Sequence, residues 1–182
     1  DRRVLAILVP GAVAGIAVGW ATATVVPEDA VTLLVGLIGL AFSLNLILRK
    51  PAVTEPRRAE VAPGLFWGAI TGFTSFVSHA GGPPYQVYTL PLGMTKAVFA
   101  GTSTIAFAII NAVKLVPYYA LGQLNPGNLK LAAILSVPAA ISVFAGVRLV
   151  HLMPERLFFR LVTWALLLIS LKLIRDGVVG LI

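Results

Sequence analysis

The chain of 182 residues is 58% hydrophobic and 12% charged, with a mean hydropathy of +0.95, whereas soluble domains are roughly 45–50% apolar and about 25% charged. A globular core cannot take up that much apolar surface, so the composition excludes a soluble protein and leaves lipid as the solvent. The net charge of +7 does not indicate nucleic acid, because the basic residues fall mostly between apolar runs, where membrane topology accounts for them; without cysteine there are no disulfides, thiol nucleophiles or thiolate metal sites.

Asp1-Arg2-Arg3 leads straight into the apolar run Val4 to Val26, longer than the ~7–15 residues of a signal-peptide core, and this run reads as a spanning helix. A chain that opens in this way reads as the later part of a longer protein. The turn Pro27-Glu28-Asp29 joins it to a second span, Ala30 to Leu48. The basic segment 49–60 follows as a solvated loop. Val61 to Thr95 carries no charge but is interrupted by His79-Ala80-Gly81-Gly82-Pro83-Pro84, where two permissive glycines precede two residues without an amide hydrogen, so no helix continues through it. Ala97 to Leu121, Leu129 to Val150 and Leu157 to Ile174 complete the set, given that about 20 apolar residues cross the hydrocarbon core. The expected fold is an all-α integral membrane protein with five full transmembrane helices and one broken or re-entrant element.

An internal repeat is legible at an offset of about 127 residues. Pro27-Glu28-Asp29 and the run after it match Pro154-Glu155-Arg156 and its run, with Ser43-Leu44 opposite Ser170-Leu171. Residues 1–50 then correspond to the last two helices of a first repeat, 51–60 to a cytoplasmic loop and 61–182 to a complete second repeat. On this reading the first half-unit of the same protein is an expected partner. Cytoplasmic loops are enriched in Lys and Arg, which puts Arg2, Arg3, the 49–60 loop, Lys96 and Arg156 inside. If the broken element returns to the side it entered from, the two repeats are inverted; Lys172 and Arg175 near an outer end run against that orientation and leave a parallel arrangement open.

The chemistry gathers in residues 61–120. No Asp or Glu occurs between Glu60 and Glu155, whereas Lys96, Lys114, Lys130 and Arg148 do, so an ion held there is expected to be an anion. Lys114 lies late in an apolar helix, where a lysine costs about 2.5–3.5 kcal/mol by insertion scales. Helical spacing puts Asn111, Lys114 and Tyr118 on one face, with Thr104 near the same stripe, and several donors around one cation suit an oxyanion. Plainer roles exist for each: Lys114 snorkelling to an interface, His79 bonded to a freed carbonyl, Asn111 joining helices, and Gly101-Thr102-Ser103-Thr104 permitting close helix approach. The break has the weakest plain role, since irregular backbone at membrane depth must be buried in protein or line a cavity. A membrane enzyme is disfavoured, because two histidines without a nearby acid supply neither a nucleophile with its base nor a metal site. A non-transporting scaffold or biogenesis factor is the alternative reading.

Ser75, His79-Ala80-Gly81-Gly82-Pro83-Pro84, Tyr88, Leu90-Pro91, Lys96, Gly101-Thr102 and Asn111 with Lys114 and Tyr118 resemble the second-repeat signature of the TauE/SafE family of sulfite exporter-like membrane proteins. The resemblance covers 61–182 well and 1–50 as the tail of a first repeat. It implies a multi-pass transporter in a cell membrane, the bacterial inner membrane, moving sulfite, sulfonates or related organosulfur anions with no cofactor. The expected substrate site is His79, Gly81, Gly82, Pro83, Pro84 and Tyr85 at the break, with Gly101, Thr102, Ser103, Asn111, Lys114 and Tyr118 from the following helix. The expected partners are the small anion and the lipid bilayer.

Overall fold

In the computed structural model, residues 1–48 and 56–182 are described; 49–55, and with them most of the expected loop, lie outside the described residues. The chain forms α1 (Arg2–Thr22), α2 (Glu28–Leu48), α3 (Val61–Val77), α4 (Gly82–Thr89), a 3-10 turn (Leu90–Leu92), α5 (Lys96–Ala120), α6 (Pro126–Leu152) and α7 (Glu155–Leu181). Among the described residues α1, α2, α5, α6 and α7 are long and apolar enough to cross a membrane, which bears out the five spans.

Helix ends depart from the expected spans wherever charge alone drew the boundary. α2 begins on Glu28 and Asp29, because carboxylates favour the positive end of a helix. α6 begins at Pro126 behind Asn125, whose side chain accepts from the Asn128 amide, since proline fits a first helical turn. α7 runs beyond Ile174 to Leu181, its Lys172 paired with Asp176 one turn on. α1 stops early, at Thr22, and Ala23 to Val26 form turns.

Two glycine-mediated contacts hold the bundle. α1 and α3 run parallel, with Ile7 against Gly64, Leu8 against Gly68 and Ala12 against Gly72. A side chain on Gly15 would overlap the Ala69 carbonyl, and one on Gly72 the Ala12 carbonyl, so the two backbones touch as small residues permit in lipid. α2 and α7 meet as closely but antiparallel, Gly36 lying against Ser170 and Ile174 while Gly177 lies against Asp29 and Leu33. Val4, Leu8, Ala12 and Ile16 of α1 pack with Phe76, Tyr85, Tyr88, Phe99, Ala106 and Ile110 to form the main core. α6 has no buried residue and is apolar all round, as befits a helix surrounded by lipid.

The broken element turns back. Ser78 to Gly81 interrupt the helix, and α4 with the 3-10 turn descends beside α3 until the Arg57 amide donates to the Pro91 carbonyl at 3.0 Å and the Tyr88 hydroxyl donates to the Glu60 carbonyl at 3.1 Å. Both arms thus end at one face of the bundle, here termed the base. Lys96 and Glu155 lie there too, since the Lys96 amide donates to Glu155 Oε1 at 3.1 Å and its ammonium to the His151 carbonyl at 3.0 Å.

Candidate functional site

The site is built where α3 stops. The Thr74 carbonyl accepts from the amides of both Ser78 and Ala80, closing the helix end in a tight turn. His79 completes that turn with φ 53, the left-handed region, and is the one non-glycine residue there among the described residues. Histidine tolerates this conformation better than bulky or branched residues do, yet at a cost of order 1–3 kcal/mol. Gly81 follows, and a Cβ on it would lie 2.8 Å from Ser75 Cβ and 2.9 Å from the Thr71 carbonyl. Pro83 and Pro84 then occupy the first turn of α4 and are buried, where a missing amide hydrogen costs nothing.

The break sits deep in the bundle. A Cβ on Gly39, near the middle of α2, would meet Pro83 at 3.1 Å, and a cavity of about 210 Å³ lies beside it, bounded by His79, Ala80, Gly82, Pro83 and Gln86 on one side and by Leu166, Ile169 and Leu173 of α7 on the other. Gln86 Oε1 is buried and has no hydrogen-bond partner among the described residues; the same holds for Thr71 Oγ1 and the Tyr118 hydroxyl.

Lys114 is buried at 4% exposure and is not left without partners. Its ammonium donates to the Ser75 carbonyl at 2.8 Å and lies 3.2 Å from Ser75 Oγ. It also stands 5.7 Å from the centre of the Tyr118 ring, within cation–π range, and that ring in turn stacks on Phe76 at 5.7 Å and tilts toward His79 at 6.3 Å. Neither snorkelling nor a free charge describes this lysine: it caps the carboxyl end of α3, where the last carbonyls carry partial negative charge.

The remaining expected residues divide. Tyr85 is 1% exposed, packed against Phe107 and Phe99, with its hydroxyl 3.1 Å from Ser103 Oγ. Thr102 is buried at the base end of α5. Tyr85 and Ser103 therefore tie α4 to α5 below the break, whereas Thr102 Oγ1 accepts from the Asp1 ammonium at 2.6 Å and ties α5 to the start of α1. Gly101, Thr104 and Asn111 are exposed. A Cβ on Gly101 would meet nothing within 4 Å, so close helix approach does not explain it, and Thr104 Oγ1 returns to the Ala100 carbonyl at 2.9 Å. The single polar stripe is corrected accordingly: the buried face of α5 runs through Phe99, Thr102, Ala106, Ile110, Lys114 and Pro117, and three residues of helix turn Asn111 about 60° away from Lys114, across the edge of that face.

Gln86 and the α7 wall are not among the residues the sequence motifs single out. Gln86 stands out as an amide within the uncharged stretch 61–95, one turn beyond Gly82, and that spacing could have marked it. The apolar pattern of α7 held no sign of which helix it would face.

The family profile described as Sulfite exporter TauE/SafE matches residues 1–173, nearly the whole chain. No curated protein and no solved structure matches.

Proposed function

We propose, since the chain belongs to the TauE/SafE sulfite exporter family, that it is a secondary transporter of small sulfur-containing anions, sulfite or organosulfonates, and that the anion binds at the break between α3 and α4. The family is one of membrane transporters rather than enzymes, and the apolar helices suit a multi-pass membrane protein.

One observation carries the site. At the break, the negative end of α3 and the positive end of α4 meet, and the Lys114 ammonium lies on the negative end. A helix terminus carries about half an elementary charge, so a full positive charge on α3 more than offsets its carbonyls. The start of α4 adds to that potential, and no carboxylate occurs anywhere between Glu60 and Glu155. An anion in the adjoining cavity would meet a field of favourable sign, the ring of His79, and the Gln86 amide. The apolar side supplied by Leu166, Ile169 and Leu173 would exclude water and strengthen the attraction.

The repeat reading, 1–50 against 61–182, draws support from the antiparallel course of α2 and α7, which inverted equivalents would follow, and from the full burial of both Ser43 and Ser170. With the base inside a bacterial inner membrane, Arg2, Arg3, Arg57, Arg58, Lys96 and Arg156 accord with the bias of cytoplasmic ends toward Lys and Arg.

The experiment is flux. Purified protein in liposomes should move radiolabelled sulfite or a short alkanesulfonate down or against an imposed ion gradient, and excess unlabelled anion should inhibit that movement. If no sulfur oxyanion crosses faster than in empty liposomes under any gradient, the transport reading fails and the scaffold reading takes its place.

A further inference from the structure

A second recess, of about 360 Å³, opens at the base between the start of α3 and the end of α4, far along the hairpin from the break. Arg57, Arg58 and Glu60 form its rim, and Trp67, Val87 and Leu92 its apolar side. The backbone there is pinned, because the Arg57 amide donates to the Pro91 carbonyl and the Tyr88 hydroxyl to the Glu60 carbonyl. We infer that this recess binds an anionic phospholipid, its phosphate on the two guanidiniums and its acyl chain along Trp67.

The recess carries a polarity gradient. A soluble inorganic anion needs donors alone, whereas this recess passes from Arg57 and Arg58, just before α3, to the indole of Trp67 about two turns into that helix, the profile of a ligand with a charged head and an apolar tail. Guanidinium groups present paired donors that match phosphate oxygens. Glu60 offsets one of the two arginine charges, leaving about one positive charge for a phosphodiester, which carries one negative charge. The deep end lies beside the outer surface of the bundle, where Phe66 next to Trp67 is 59% exposed, the two rings meeting edge to face at 5.3 Å. Basic pockets between helices at the membrane boundary take phospholipid heads in this way, and tryptophan is at home at that level. A lipid bound here would bridge both arms of the hairpin where they return to the base.

The test reads Trp67 alone, in a Trp20→Phe/Trp164→Phe chain; both replaced residues are exposed, at 42% and 48%. The protein is placed in phosphatidylcholine vesicles containing a small, fixed fraction of acyl-brominated lipid, either phosphatidylglycerol or phosphatidylcholine. Expected is stronger quenching by the brominated anionic lipid, by a relative affinity on the order of five-fold per arginine engaged. In Arg57→Gln/Arg58→Gln the preference should fall to about one, whereas Arg156→Gln/Arg160→Gln, which removes two charges elsewhere near the base, should leave it. Equal quenching by the two lipids, or an equal loss in both double variants, overturns the site and leaves only diffuse attraction. Glycerol 3-phosphate in the medium should not relieve the quenching; relief would assign the recess to a soluble phosphate ester instead. Vesicle flux of sulfite plays no part in this readout, so its outcome is independent of the transport reading.

Discussion

Lys114 and Ser75 are 39 residues apart in the chain, yet the ammonium of one lies 2.8 Å from the carbonyl of the other. The contact joins α5 to the end of α3 at the point where the helix breaks. It gives the lysine a structural role, satisfying a carbonyl, that mutation can separate from the electrostatic role proposed for it toward the anion.

Lys114→Ala should therefore cost stability as well as binding. A buried carbonyl deprived of its donor costs about 1–3 kcal/mol, and the loss of the charge should weaken anion binding at least about tenfold, which corresponds to ~1.4 kcal/mol. Lys114→Arg should keep the charge and recover much of the stability, with altered selectivity, because a planar fork replaces a compact ammonium. Thermal unfolding in detergent and concentration-dependent uptake separate the two effects. Unchanged uptake affinity in Lys114→Ala would confine the residue to holding Ser75.

His79 is the next probe, because its backbone and its ring are separable. With φ 53, His79→Gly should unfold at or above the temperature of the parent, relieving about 1 kcal/mol of strain, while uptake falls through loss of the imidazole. His79→Val should lower the unfolding temperature, since a β-branched side chain resists that conformation. Full uptake by His79→Gly would remove the ring from the site.

Gly81 and Gly82 are adjacent and should respond oppositely to one methyl group. At Gly81 it must displace Ser75 or the Thr71 carbonyl, whereas at Gly82 it would meet nothing within 4 Å. Gly81→Ala is expected to lose about 1–3 kcal/mol, the usual cost of overpacking, and Gly82→Ala to keep parental stability. Equal unfolding temperatures would contradict the packing described at the turn.

Gln86→Glu introduces a carboxylate into the cavity beside His79 at nearly constant volume. Repulsion between like charges at about 4 Å is on the order of 4 kcal/mol at intermediate dielectric, so uptake of a sulfur oxyanion should be nearly abolished at neutral pH. Gln86→Leu should reduce it less. A Gln86→Glu protein that transports as well as the parent would place the anion elsewhere.

Much of this was legible in the sequence, for identifiable reasons. Spans follow from uninterrupted apolar length, and the break follows from Gly81-Gly82-Pro83-Pro84, because both signals are local. Lys114 was conspicuous for its cost in lipid. Its partner was not, because a backbone carbonyl has no signature in a sequence and the Ser75 carbonyl takes the place an acid would otherwise fill. Asn111 misled because helical spacing gives the angle between residues and leaves open where the buried face ends. The glycine contacts of α1 with α3 and of α2 with α7 were equally hidden, since small residues show that a helix can approach closely but do not name its neighbour.

The hairpin made by α3 and α4 also changes a parity. A hydropathy reading sees six apolar stretches, an even number, which would leave Asp1 and Ile182 on the same side of a membrane. Because the third stretch turns back to the base, secured by the Arg57–Pro91 and Tyr88–Glu60 hydrogen bonds, five helices long and apolar enough to cross a membrane are left among the described residues, and five crossings would put the two ends in opposite compartments. A reporter attached beyond Ile182 should experience a different aqueous phase from one placed before Asp1, and the odd number originates in a few residues around His79.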